Sequence, residues 1–320
     1  MKLAEVLPLL VLLLISGGIV APLILGLAQP GVEVMAVDPT SGNTTTLGEG
    51  PIDSNMATQG CVDHLRQIVY VLANDGNDMS LFSYSINNNV LKYALIPGFP
   101  GWLINNGGYC FVDHATGDLL VSYNVADDPY STTIVRLMSP IQGGPIKTQP
   151  FAKLQNITFD FSGGMASIDS VGGFFLLGTN RTDLMSYIIH FDGNANTLST
   201  IQVGLRKNAT IYPARYLVAS QQSGLLYTLR GGLEGGLHVL QVQIWNGVVR
   251  DNGIIANFMG SFNNNFALAE SHWAFATLDS DIFQPAWVFL DLDNSANTGK
   301  GKAVPVFTFL EWIAVFVVFK

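Results

Sequence analysis

Charge is scarce in this chain. Only 12% of its 320 residues are Asp, Glu, Lys or Arg, about half the usual fraction, and they sum to a net charge of −9. Lys and Arg form no cluster or stripe, which excludes a nucleic-acid backbone as partner. Cysteine is almost missing as well, with Cys61 and Cys110 the only two and no C-x-x-C pair. The sequence has no G-x-S-x-G nucleophile turn, no H-E-x-x-H and no Gly-rich phosphate loop ahead of a helix. The common hydrolase and nucleotide-binding signatures are therefore excluded.

What the chain does have is apolar mass, 48% of residues, together with abundant Gly, Asn, Ser and Thr. Such a composition buries a large core and solvates itself with neutral polar groups. The first residues carry one Lys and then an apolar run reaching Ala28, which reads as an export signal. Gly26 and Ala28 supply small residues at the positions a signal peptidase inspects, so residues 1–28 are expected to be the signal and 29–320 a single domain. The alternative is an uncleaved anchor, because Val6 to Ala28 is long enough to span about 30 Å of bilayer. Pro8, Pro22 and the Gly17-Gly18 pair weaken that spanning helix. Either way the remainder faces the lumen or the outside. Four glycan-acceptor triplets agree with that placement, at Asn43, Asn156, Asn180 and Asn208.

The stretch Gly107 to Asp128, GGYCFVDHATGDLLVSYNVADD, is a repeat unit. Two glycines lead into an apolar run ending at Asp113, a polar turn passes through Gly117, and a second apolar run ends in acidic residues. The pattern returns with turn-opening positions at Asp63, Asp113, Asp169, Ala219 and Ala269, roughly 50 to 56 residues apart, a period that marks an array or a propeller. After each unit comes a hairpin of β-branched or aromatic runs around an Asn-, Asp- or Gly-rich turn, as in Leu81 to Ile96 and Tyr187 to Val203. Two halves make four antiparallel strands, the content of one propeller blade.

A hairpin at Val32 to Leu47 has no inner strands before it, so something distant must supply them. The C-terminal run Val304 to Lys320 holds two apolar strands broken near Glu311, and it is expected to close the first blade. The competing reading of that tail is a lipid-anchor signal. The expected fold is thus all-β, a six-bladed β-propeller of four-stranded antiparallel blades whose first blade is completed by C-terminal strands.

Cys61 lies two residues before its Asp and Cys110 three, so the two point to opposite sheet faces. Opposite faces of adjacent blades pack together, and the registers permit a disulfide between neighbouring blades; two buried thiols are the alternative. His64 and His114 each follow the Asp of the repeat and read as polar turn residues rather than metal ligands. Asp63, Asp113 and Asp169 are expected to accept backbone hydrogen bonds in Asx-type turns.

Ligands generally meet a propeller on the face carrying the loops into each innermost strand, here Gly48–Gly60, Gly98–Gly108, Lys153–Gly164, Gly204–Arg215 and Asn257–Asn265. With the acidic loops at Asp75, Asp127, Asp183 and Asp279 they form a ring of Asn and carboxylate oxygens suited to Ca2+ or another divalent cation. Leu47-Gly48-Glu49-Gly50-Pro51 resembles the opening motif of the gluconolactonase and regucalcin-like six-bladed propellers. The resemblance implies a metal bound by Glu49, with Asn105 or Asn106 as further ligands, supporting lactone or ester hydrolysis. Departures stand at Gly163, where the family keeps its basic and metal-binding Asp, and at Pro213-Ala214-Arg215, where an Asn-Gly pair should supply another ligand. The reading that follows is a non-catalytic exported module for a small ligand or extracellular partner, with a Glu49-centred metal-dependent lactonase or esterase as the alternative. A membrane is a partner only if the N-terminal segment stays uncleaved.

Overall fold

The computed structural model describes the strands named below, most turns joining them between 65 and 252, and the side chains of most residues from 60 to 252. In chain order the strands are Leu23–Ala28 (β1), Glu33–Val37 (β2), Thr44–Glu49 (β3), Met56–Asp63 (β4), Ile68–Asn74 (β5), Asp78–Ser85 (β6), Val90–Pro100 (β7), Tyr109–Asp113 (β8) and Asp118–Val125 (β9). Then follow Asp128–Met138 (β10), Lys147–Gln155 (β11), Ile157–Thr158 (β12), Gly164–Ala166 (β13), Phe174–Asn180 (β14), Ser186–Phe191 (β15), Thr197–Gln202 (β16), Leu205–Lys207 (β17) and Thr210–Tyr212 (β18). The last are Ala214–Ser220 (β19), Leu225–Gly231 (β20), Leu237–Gln243 (β21), Val248–Ile255 (β22), Phe266–Ala269 (β23), His272–Leu278 (β24), Pro285–Asp291 (β25), Lys302–Pro305 (β26) and Trp312–Val318 (β27).

All pairings are antiparallel, and the sheets follow the repeat. The second sheet is β4 to β7, the third β8 to β11, the fifth β19 to β22 and the sixth β23 to β26. In the fourth, β12 and β13 both pair with β14, which continues to β15 and β16. A short β17–β18 hairpin precedes the fifth. The first sheet runs β27-β1-β2-β3. One expectation is corrected here. Of the C-terminal run only Trp312–Val318 joins the first sheet, and Lys302–Pro305 is the outer strand of the sixth. The remaining strand is Leu23–Ala28, from the stretch that reads as an export signal, paired on one side with β2 and on the other with β27. An apolar run of that length serves either purpose, and the available partners decide.

Sheets stack face to face with their first strands innermost: β4 adjoins β8, β8 adjoins β13, β13 adjoins β19, β19 adjoins β23, β23 adjoins β27, and β27 adjoins β4. Stacking explains why second strands are continuously apolar, since both faces are covered. Val69 to Ala73 and Phe174 to Gly178 are buried without interruption, whereas the outer strand β16 is exposed except at Ile201. Among the described residues, three cores fill gaps between sheets. Tyr70, Leu72 and Leu81 meet Val112, Val121 and Leu137 between the second and third sheets. Phe174, Leu176 and Phe191 meet Leu120 and Ile134 between the third and fourth. Phe175, Leu177 and Ile188 meet Leu217, Leu226 and Leu240 between the fourth and fifth.

The repeat's leading glycine has a packing reason at Gly164, where an added Cβ would lie 2.5 Å from the backbone nitrogen of Leu217 on β19. Innermost strands approach too closely there for any side chain. Cys61 on β4 and Cys110 on β8 are joined by a disulfide with their Cα atoms 5.5 Å apart, tying the second sheet to the third. Among the described residues no helix is long and apolar enough to cross a membrane.

Candidate functional site

The site grows from the turns that join first to second strands. In the third sheet Asp113 accepts Gly117 N–H on its carbonyl at 2.7 Å and Ala115 N–H on Oδ1 at 3.1 Å, the Asx geometry expected for this residue. Gly117 closes the turn at φ 76°, a left-handed conformation that favours glycine. In the second sheet Asp63 takes the same role with more at stake. It is fully buried and accepts from Arg66 twice, from N at 2.9 Å and from Nη1 at 2.8 Å.

His114, from the third sheet's turn, brings Nδ1 to 3.7 Å from Asp63 Oδ1, beyond a hydrogen bond but within ion-pair reach. Burial pushes the Asp63 carboxyl up, and His114 and Arg66 together outweigh it, holding the group at about 2. Tyr70 lies close by with its hydroxyl buried and unpartnered among the described residues, and burial, followed by the Asp63 charge, pushes that hydroxyl up. The Arg66 guanidinium covers Gly117, a further contact across the same junction.

The junction between the fourth and fifth sheets is tied at the same end by a different residue. Gln221 donates Nε2–H to Ser167 O at 2.8 Å and accepts Asp169 N–H on Oε1 at 2.9 Å. Asp169 departs from the expected Asx turn, because the Val171 and Gly172 N–H groups donate to the Ile168 carbonyl at 3.0 and 3.1 Å. It is exposed, and among the described residues its carboxylate accepts no turn hydrogen bond.

Between the third and fourth sheets no such tie crosses this end among the described residues, and a cleft of about 550 Å3 opens instead. One wall carries Phe111, Asp113, His114, Arg136 and Phe151, and the facing wall the turn Ser167 to Gly173 together with Phe174 and Gly193. Its floor is aromatic, with Phe174 stacked on Phe191 at 5.1 Å and on Phe111 at 6.4 Å between ring centres. Arg136 rises from β10 beside Leu120 in the register. Its Nη1 is 3.3 Å from Asp118 Oδ2 and 3.5 Å from Asp113 Oδ2, and its guanidinium carbon sits 5.2 Å over the Phe151 ring. Two carboxylates and an aromatic face fix the guanidinium in place.

This cleft lies at the end of the sheets opposite the loops from which a ligand face was expected. Of the expected site residues, Asn105, Asn106 and His64 fall outside the described residues, as do Asn43 and Asn208, and Glu49 is described only as the last backbone position of β3. Asn156 occupies an exposed turn at φ 60°, and its carbonyl accepts the Arg181 N–H at 2.9 Å, which brings the two sequons at Asn156 and Asn180 side by side. Among the described residues no three His, Cys, Asp or Glu gather as a metal would require.

Two features escaped the sequence reading. Arg136 is one; its signal was a charge inside the apolar run Ile134 to Met138. The other is a triad across the fifth sheet, in which Asp251 receives Arg230 Nη2 at 2.7 Å and His238 Nδ1 at 2.9 Å. Its members come from three strands, and no local motif announces it.

The arrangement of stacked four-stranded sheets has close structural counterparts. TolB from Acinetobacter baumannii aligns with 97% of this chain and 70% of its own at a TM-score of 0.66 and 10% identity. The periplasmic gluconolactonase of Pseudomonas aeruginosa aligns over 92% of this chain and 99% of its own, with a TM-score of 0.54 and 15% identity. The fold is a β-propeller. A protein from Lactobacillus plantarum adds a third likeness, at a TM-score of 0.53, 14% identity, and coverage of 93% of this chain and 100% of its own. No protein-family model and no curated protein sequence matches the chain. The likeness to gluconolactonase structures is thus one of fold, and the sheets described above are propeller blades, with the cleft between the third and fourth.

Proposed function

We propose that the chain is an exported six-bladed β-propeller acting as a non-catalytic binding module, with its ligand held in the cleft between the third and fourth blades. The observation that carries this is the state of the polar groups around the cleft. Asp113, Asp118 and Arg136 are committed to one another or to their own turn, and Asp63 to Arg66, so they shape a surface rather than stand ready to exchange protons. The two cysteines are spent on an inter-blade bridge, in keeping with an oxidising compartment. Gly163 stands where the lactonase family keeps its basic Asp.

A second reading is favoured by one specific observation. The register of the first blade sets Glu33 directly opposite Glu49, and like charges so placed repel unless a cation offsets them. Glu49 would then hold a divalent metal, which supplies Lewis-acid polarisation of a lactone carbonyl. Metal analysis of the exported protein beside a Glu49→Gln variant separates the readings. A binding module shows no Glu49-dependent stoichiometric metal and no Glu49-dependent lactone hydrolysis; both together would establish the enzyme.

A further inference from the structure

We infer that the cleft between the third and fourth blades is a binding site for a neutral saccharide. This rests on the reading of that cleft as the ligand site and adds the chemical class. The volume, about 550 Å3, falls in the range of about 300–1,000 Å3 typical of small-molecule sites. The walls offer three kinds of contact that a sugar ring uses together. Phe111 and Phe151 supply apolar surface for a face of C–H groups. Asp113, Asp169 and the backbone of Gly193 supply acceptors and donors for hydroxyls. Arg136 supplies donors at a fixed place, since Nη1 is held by Asp118 and the guanidinium lies over the Phe151 ring.

Charge decides against the other classes. A simple anion would face Asp113 and Asp169, and a simple cation would face the Arg136 guanidinium, which Asp113, Asp118 and Phe151 prevent from swinging away. A polyol engages donors and acceptors at once without bringing a charge. The site is also the one junction at this end, among those described in full, where no side chain ties blade to blade. The second and third blades are bridged by Asp63, Arg66 and His114, and the fourth and fifth by Gln221. Because Gln221 engages the Asp169 backbone N–H rather than its carboxylate, that carboxylate is left for a ligand.

Two substitutions probe the site without disturbing the fold. Asp169→Ala removes a side chain that makes no structural bond among the described residues. Gly193→Leu fills the cleft from a position where an added Cβ meets nothing within 4 Å and φ is not left-handed. The experiment titrates the full-length exported protein with a panel of neutral mono- and disaccharides by calorimetry and saturation-transfer NMR. At least one saccharide is expected to bind, with about tenfold or greater weakening in Asp169→Ala, the scale of a lost charged hydrogen bond. Gly193→Leu should abolish binding, and both variants should keep the parental melting temperature. The assignment is overturned if no saccharide binds the folded protein, if binding is indifferent to both variants, or if choline or a sugar phosphate occupies the cleft more tightly. Those results leave the metal and hydrolysis comparison at Glu49 untouched, so failure of the ligand class and failure of the binding-module reading are read separately.

Discussion

His114 and Asp63 occupy corresponding turns of neighbouring blades, one step apart in the repeat, with Nδ1 of the imidazole 3.7 Å from Oδ1 of a carboxylate that solvent does not reach. The later blade thus caps the turn of the earlier one, and Arg66 closes the same carboxylate from within its own turn.

Asp63 should therefore govern acid stability. Its carboxyl is held at about 2 against an ordinary 3.8, so its contribution is fully present above about pH 4 and is lost as pH falls toward 2. The shift corresponds to about 2 kcal/mol. Denaturant unfolding between pH 2 and 6 should show that loss in the parent and not in Asp63→Asn, which should already be weaker by about 2 kcal/mol at neutral pH because the stabilised carboxylate is gone. An unchanged profile in Asp63→Asn would remove the carboxylate from this role.

The disulfide between Cys61 and Cys110 closes a loop of sequence separation 49, for which chain entropy predicts about 4 kcal/mol. Reduction, or replacement of both cysteines by Ala, should lower the melting temperature while leaving a folded propeller, because the core of Tyr70, Leu81 and Val121 still joins those blades. A melting temperature indifferent to reductant would contradict the bridge.

Two glycines should respond in opposite ways to Ala. Gly164→Ala places a Cβ against the Leu217 backbone and should destabilise by about 1–3 kcal/mol through overpacking. Gly193→Ala meets open space and should be nearly neutral. Thermal melts of the pair test whether β13 and β19 approach as closely as described.

Maturation should spare β1. A cut after Ala28 would remove the strand that holds β27 to β2. In place of the cut after Ala28 read from the sequence, the pairing of β1 predicts one upstream of Leu23, where Ser16 and Gly18 offer small residues at the two inspected positions behind the apolar run from Val6 to Ile15. N-terminal sequencing of the mature protein isolated from its expressing cells checks this; a start at Gln29 would mean that the first blade forms without Leu23–Ala28.

Much of the architecture was open to reading because its causes are local. Alternating and continuous apolar runs, Asp at turn openings and Gly in left-handed positions act within a few residues, so the hairpins around Gly117 and Asn194 follow from their own chemistry. The cysteine registers placed the two sulfurs on opposite faces by counting alone. Asp113 behaved as its neighbours dictated, and Asp169 did not, because the Val171 and Gly172 N–H groups that its carboxylate would accept donate to the Ile168 carbonyl instead.

The cleft and the completion of the first blade depend on which segments meet. Leu23–Ala28 is equally suited to an export signal or to a buried strand, and its place was settled by β2 on one side and Trp312–Val318 on the other. Likewise nothing near Arg136 in the chain says that the turn Ser167 to Gly173 will face it across a gap. Patterning states which surfaces must be buried, but it leaves open which surface buries which. That choice is made by whole sheets packing at once, when a bridging side chain either spans a junction or leaves it open.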